Sequence, residues 1–194
     1  CWRAEERGSN HLSEFTMLEW YRTNSDYHNL MTDCEELLQH VASECLADNP
    51  LYRRNSRTID PFRPSLRISV QEAFERFGQV DVWDCLRQGV YEEVLTGQVE
   101  PGLAEFSEPV ILIDYPSELA ALARLKPGQA GLAERFELYL GGLELANGFS
   151  ELNDPVEQRR RFEEANRSRL EKGISPLPLP EPFLRELADM PASA

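Results

Sequence analysis

The sequence predicts an α+β domain built on an antiparallel sheet flanked by helices. Three observations predict it. Residues 26–45 carry apolar side chains at helical spacing. Residues 109–116, PVILIDYP, form a short apolar run bounded by prolines, the pattern of a buried strand. Residues 134–151 form two strand-like runs on either side of Gly141-Gly142, the pattern of a hairpin.

In order along the chain, residues 1–5 and 14–22 read as two strands joined by a polar loop. Arg3 and Glu5 share a face of the first; Phe15, Met17, Glu19 and Tyr21 share a face of the second. A helix then runs from Asp26 to Cys45, with Tyr27, Leu30, Met31, Cys34, Leu37, Leu38, Val41 and Cys45 as its stripe. Asn49-Pro50 ends it. Ser69-Val-Gln-Glu72 is a capping box that opens a short helix, and Gly78 closes it. Residues 79–106 read as helical and loop-rich, and residues 117–124 as a short helix after the buried strand. The hairpin over 134–140 and 143–151 follows. Asp154 then caps a helix with Pro155 at its first position and Glu157 completing a box; it reaches Lys172 and stops at Gly173. The tail ISPLPLPEP is extended, and a last short helix holds Phe183 to Leu187. No internal repeat or linker divides the 194 residues, which suffice for one domain with a sizeable core.

Composition narrows the function. The net charge of −14 matches a phosphate backbone poorly, which weighs against nucleic acid as the main partner and leaves a cationic ligand open. No apolar run approaches the ~20 residues that span a bilayer, and CWRAEERG carries no signal pattern, so no membrane partner is expected. The chain begins without Met inside a strand-like run, so it reads as a piece of a longer protein. Cys1, Cys34, Cys45 and Cys85 are widely spaced and form no metal or disulfide pattern, which suggests a reducing, cytoplasmic setting.

The hairpin carries the chemistry. A two-residue turn pairs Leu140 with Leu143, Tyr139 with Glu144 and Glu137 with Ala146, so Glu137 and Glu144 are diagonal neighbours about 7 Å apart. They are either a platform for Mg²⁺ and a nucleotide or two carboxylates on a wet sheet face. Asn147, Phe149 and Glu151 have the opposite parity to Glu144, so one shared cavity requires a change of phase, and Gly148 suggests a bulge. Phe149 alone would be read as core, and Glu151 as solvated. Arg3 can clamp a phosphate or pair across strands. His11 can stack on a base or stand exposed, Phe15 can stack on a purine or pack, and Glu19 and Tyr21 can hold an ammonium group or face solvent. Arg159-Arg160-Arg161 reads as a salt-bridged surface.

Taken together, CWRAEERGSNHLSEFTMLEWY resembles the second signature motif of the class II aminoacyl-tRNA synthetases, lysine-type subgroup. RFELYLGGLELANGFSELND resembles the subgroup's later catalytic strands. Within it, EFTMLEWYR, ELANGF and EQRRRFEEANRSRLEKG resemble the branch that modifies translation elongation factor P with (R)-β-lysine, and the GDDEA-like segment of true lysyl-tRNA synthetases is missing. The resemblance implies a partial class II catalytic core over residues 1–194, with the first motif expected before Cys1 and the third after Ala194. It implies ATP and Mg²⁺ as cofactors, lysine or β-lysine as substrate, elongation factor P as acceptor with tRNA as the alternative, and allows a homodimer for the whole protein. Position by position, it implies ATP contacts at Arg3, Glu5, His11, Phe15, Glu137 and Leu138, with Arg3 also catalytic. It implies metal contacts at Glu137 and Glu144, and a substrate pocket of Glu19, Tyr21, Glu144, Asn147, Phe149 and Glu151. Leu12 stands where the family usually has Asn, Ser13 where it often has Pro, and Ala4 where Asn is common; Leu12 removes a polar contact to adenine. A non-catalytic binding paralogue is the remaining alternative.

Overall fold

A four-stranded sheet with helices on both faces organises the chain. The computed structural model describes residues 1–3, 8, 10, 12–45, 51–54, 56–120, 122–129 and 131–194. Helix α1, Tyr27–Cys45, starts where Asp26 accepts hydrogen bonds from the backbone N–H groups of His28 (2.9 Å) and Asn29 (3.4 Å). Tyr27, Leu30, Met31 and Cys34 are buried and Leu38 packs against them, whereas Leu37, Val41 and Cys45 are exposed, so the predicted stripe meets the core only in part. Asn49-Pro50 lies outside the described residues. A small ribbon follows, β1 (Tyr52–Arg54) with β2 (Arg57–Ile59), which the sequence pattern did not announce.

Strand β3, Leu66–Ser69, pairs in parallel with β4, Val110–Pro116. The connection between them carries α2 (Val70–Ala73), a π-helical turn over Phe74–Gly78, α3 (Val82–Gln88), α4 (Tyr91–Val94), a second π turn over Leu95–Val99, and α5 (Glu100–Leu103). Ser69 caps α2 by accepting from the Glu72 N–H at 3.1 Å, as the box predicts, and Gly78 is the last residue of the helical run. The expectation of a purely antiparallel sheet is corrected here. A long helical crossover lets β3 return beside β4 in parallel, and a hairpin cannot. Strands β5 (Leu132–Leu140) and β6 (Leu143–Phe149) complete the order β3-β4-β5-β6 with antiparallel pairing. The predicted helix at 117–124 is one 3₁₀ turn, Ser117–Leu119.

The two faces bury different clusters. On one, Ile111, Phe136 and Leu138 pack with Tyr27, Leu30, Met31 and Cys34 of α1. On the other, Val110, Leu112, Tyr115 and Tyr139 pack with Phe74, Tyr91, Val99 and other side chains of the crossover helices. The β4–β5 register slips by one residue between Ile113 and Tyr115, where Asp114 adopts φ +60°. Its carboxylate accepts from the Tyr27 hydroxyl (3.0 Å) and from Lys126 Nζ (2.6 Å), contacts that hold the strained residue in place.

Helix α6, Pro155–Glu171, starts at Asp154, which accepts from the N–H groups of Val156 (2.8 Å) and Glu157 (3.2 Å). Glu157 pairs with Arg160 and Arg161 rather than closing the predicted box, and Gly173 ends the run at φ +70°. Arg159 and Arg160 form the expected surface ion pairs, with Glu181 and with Glu157 and Glu164; Arg161 is instead largely buried and donates to the Ala120 carbonyl. Helix α7, Glu181–Leu187, buries Leu184 and Leu187.

Among the described residues, the two predicted N-terminal strands meet at one bridge, Trp2 with Glu14, flanked by an Arg3 N–H bond to the Ser13 carbonyl at 2.9 Å and by bonds of 2.9 and 3.1 Å between the backbones of Cys1 and Phe15. Beyond Phe15 the chain has no regular element until Arg22 and Ala194 exchange backbone hydrogen bonds of 2.7 and 3.0 Å. Met17, Leu18, Trp20 and Tyr21 are all exposed, so no single buried face fixes a register for this segment.

Candidate functional site

The β5–β6 hairpin builds the site. Gly141 and Gly142 turn the chain at φ +60° and +74°, the backbone that a two-residue hairpin loop demands. A side chain at Gly142 would meet the Glu100 carbonyl oxygen and Ala104 Cβ, both at 2.8 Å, so the turn is also pinned against α5.

From the turn, Leu140 pairs with Leu143 and Tyr139 with Glu144, as the sequence predicts. The register then slips: Leu138 faces Ala146 and Glu137 faces Asn147, with Leu145 as the extra residue. The expected Glu137–Ala146 pair is therefore replaced by Glu137–Asn147. The required change of phase exists, but it sits at Leu145 and not at Gly148. Gly148 serves a different purpose, close approach: a Cβ there would lie 2.6 Å from Phe136 Cε1. Because directly paired residues share a face, the bulge sets Arg135, Glu137 and Tyr139 of β5 beside Phe149, Asn147 and Glu144 of β6.

On that face Glu137 is only 6% exposed. Its Oε1 accepts from Arg135 Nη2 at 2.6 Å and its Oε2 from the Tyr139 hydroxyl at 2.7 Å. The Arg135 guanidinium carbon lies 4.5 Å from the Tyr115 ring centroid, and Nη1 donates to the Leu119 carbonyl. The Tyr139 hydroxyl is held well above its ordinary pKa by burial and by the Glu137 charge. The Tyr115 hydroxyl is also raised, mainly by burial and then by the same carboxylate, although no hydrogen bond reaches it geometrically.

Glu144 behaves differently. Its carboxyl is pushed up to about 7, first by loss of water on its protein-facing side and then by the charge of Glu137. The residue as a whole is exposed, so water limits the first effect and the neighbouring carboxylate is the sturdier cause. The charges of Arg135 and Arg3 act in the opposite sense, which puts Arg3 within electrostatic reach of Glu144. Arg3 is itself exposed, with its guanidinium carbon 5.5 Å from the centroid of the half-buried Phe15 ring.

The other predicted residues fall in three groups. Glu5 and His11 lie outside the described residues. Glu19 and Tyr21 are exposed, and among the described residues no hydrogen bond or ion pair joins them to the hairpin. Asn147 is exposed, Phe149 packs on Ala120, Ala123 and Ala133, and Glu151 is half-buried, with its N–H on the Ser193 carbonyl at 2.8 Å and its carboxyl raised by burial. Strand alternation turns the Leu138 side chain into the α1 cluster, away from the face of Glu137.

Sequence reasoning missed Arg135, Tyr139 and Tyr115. The signal for the first two was present, since Arg-x-Glu-x-Tyr over 135–139 puts three polar groups on one strand face; Tyr115 comes from another strand and had none. For a divalent cation, the donor set fits a substrate-bridged ion. Two carboxylates share a face and repel, and Mg²⁺ takes one or two carboxylates with phosphate oxygens. Among the described residues no group of three or more His, Cys, Asp or Glu side chains forms a protein-only cage. Two shallow hollows, of about 410 Å³ beside Glu35, Phe62 and Arg67 and of about 360 Å³ beside Asp154 and Arg160, include none of these site residues.

Residues 1–175 match the family model described as tRNA synthetases class II (D, K and N). The chain is 36% identical over 190 residues to the elongation factor P–(R)-β-lysine ligase of Vibrio atlanticus, covering 95% of this chain and 58% of that protein. It is 38% identical over 192 residues to the ligase of the same name from Pectobacterium atrosepticum, covering 95% and 58%. The Vibrio vulnificus ligase is 35% identical over 200 residues, covering 100% and 61%. The chain thus spans about three fifths of the length of these curated relatives.

Proposed function

We propose a function from one fact: the chain belongs to the class II tRNA synthetase family (D, K and N). In this proposal the protein activates lysine or β-lysine with ATP and transfers the acyl group to a lysine side chain of elongation factor P. The names of the relatives support the acceptor, and the net charge of −14 favours it over tRNA. The observation that carries the reading is the bulge at Leu145, which sets Glu137, Glu144, Asn147 and Phe149 on one face.

The activation step needs no general base, because the substrate carboxylate is already ionised. One of its oxygens attacks the α-phosphorus of ATP, and pyrophosphate leaves with the electrons of the broken bond. The acceptor lysine, as its free amine, then attacks the acyl carbon; the acyl–phosphate C–O bond breaks, AMP leaves with its electrons, and the proton from nitrogen passes to water. Arg3 stabilises charge on the α-phosphate. Phe15 offers a face for the adenine, with Glu5 and His11 beside it. A divalent ion, Mg²⁺ in this proposal, would be held by Glu137 and Glu144 and would neutralise the phosphates. Glu144 also lies near the substrate amine. Glu19, Tyr21, Asn147, Phe149 and Glu151 receive the amino acid. The carboxylates among them select an ammonium group, because an uncharged side chain would leave them desolvated and unpaired. The setting is cytoplasmic.

The test is acylation by the intact gene product, with elongation factor P and with tRNA as acceptors and lysine and β-lysine as donors. Transfer to elongation factor P is expected. Transfer to tRNA alone would replace this reading with a lysyl-tRNA synthetase, and the absence of any pyrophosphate release would replace it with a binding protein.

A further inference from the structure

We infer that Arg135 is a positioning residue that fixes the Glu137 carboxylate for binding a divalent cation with its nucleotide, with Tyr115 and Tyr139 as its supports. The inference rests on the proposed role of Glu137 as a ligand and concerns three residues to which that proposal gives no role.

Arg135 is immobilised from three directions. Its Nη1 donates to the Leu119 carbonyl, its plane stands over Tyr115 at 4.5 Å, and its Nη2 donates to Glu137 Oε1 at 2.6 Å. Tyr139 fixes the other oxygen at 2.7 Å and is almost wholly buried. A carboxylate oxygen has two acceptor sites. One donor on each oxygen therefore fixes the plane of the group while leaving each oxygen a second site. The residue diagonally opposite on the same face is Glu144. A simple ion pair that made burial of Glu137 tolerable would need one cation. Here the guanidinium is itself held by a carbonyl and a ring, and the second oxygen has its own donor. That is the layout of supports that orient a metal-ligating group, whose removal typically costs 10–100-fold in metal affinity.

The experiment uses the intact gene product with Mn²⁺ and ATP as the probe, and reads bound Mn²⁺ by electron paramagnetic resonance. Thermal midpoints and ATP binding in excess chelator are recorded for each variant. Glu137→Gln is expected to abolish nucleotide-dependent Mn²⁺ binding. Arg135→Lys, Tyr115→Leu and Tyr139→Phe are expected to weaken it about 10–100-fold, with ATP binding in chelator changed less than about threefold. Should Arg135→Lys fail to fold, Tyr139→Phe carries the test, because it removes one hydroxyl and keeps the ring. Folded Arg135→Lys and Tyr139→Phe proteins that hold Mn²⁺ and ATP as tightly as the unaltered protein overturn the inference while Glu137 keeps its role. If Glu137→Gln binds normally, the reading of the site fails first and the inference falls with it.

Discussion

Replacing Gly148 by Ala should strain the site through packing alone. The position has no left-handed backbone to lose, but an added Cβ would lie 2.6 Å from Phe136 Cε1, 2.8 Å from Cζ and 3.5 Å from Leu30 Cδ1. Phe136 is fully buried between the sheet and α1, so its ring has nowhere to rotate. Overpacking of this kind costs about 1–3 kcal/mol, and the stiffer unfolded chain returns about 0.4–1 kcal/mol. The expected net loss is about 1–2 kcal/mol, a fall in Tm of roughly 2–8 °C for a domain of this size. The relief is specific. Phe136→Leu alone opens a cavity and destabilises, yet in the double variant the smaller side chain makes room for the methyl group. A double-mutant cycle by urea unfolding should give a favourable coupling of about 1 kcal/mol or more. Additive effects, or a Gly148→Ala protein as stable as the original, would refute the close approach of β6 to Phe136. That approach is what holds Asn147 and Phe149 on the face of Glu137.

Glu151→Gln should leave Tm within about 2 °C and abolish lysine-dependent pyrophosphate exchange; exchange at the normal rate sinks that assignment. Burial raises the Glu151 carboxyl, so lysine affinity should fall as pH drops through that raised value, and calorimetric titration should find the dependence gone in the Gln variant. The same raised pKa makes its contribution to stability fullest below the unfolded carboxyl value and lost as pH rises. Glu157 has the opposite sign: hydrogen bonds from Arg160, and also from Arg161, lower it to about 2, so its stabilisation is present above about 4.5 and lost as pH falls toward 2. Thermal melts from pH 5 to 2 should show a smaller loss in Glu157→Gln than in the unaltered protein. Asp154→Ala should cost about 1 kcal/mol through the lost cap of α6, read by urea unfolding.

What the sequence made legible follows the range of the forces involved. Local signals held. Ser69 and Asp154 cap the helices expected of them, α1 begins within one residue of Asp26, and Gly141-Gly142 turns the hairpin. The site required a phase change in β6, and one is present, but parity could not say which residue is the extra one. Leu145 becomes extra because Gly148 is committed to Phe136, a contact between strands that no local pattern reveals. The parallel β3 was invisible for a similar reason. Its four residues gain strand identity only from β4, across the whole helical crossover. The extended reading of residues 14–22 failed as strand because side chains of both parities there are apolar and exposed.

Read from the sequence, Glu137 and Glu144 are equivalent, two carboxylates on either side of a turn. The fold makes them unequal, and the inequality bears on how a cation would be taken up. Glu137 lies inside, with a donor on each oxygen, and its geometry is fixed before any ligand arrives. Glu144 lies at the open side of the same face and carries the cost of their repulsion, which raises its hold on a proton. Two carboxylates sharing a face cannot both be ionised cheaply without a counter-charge. Glu137 already has a donor on each oxygen, and it is the carboxyl at the surface whose hold on a proton rises. Under the proposed assignment, Glu137 would be the rigid ligand and Glu144 the adjustable one, and an entering cation would compete with a proton at Glu144 rather than with the guanidinium at Glu137.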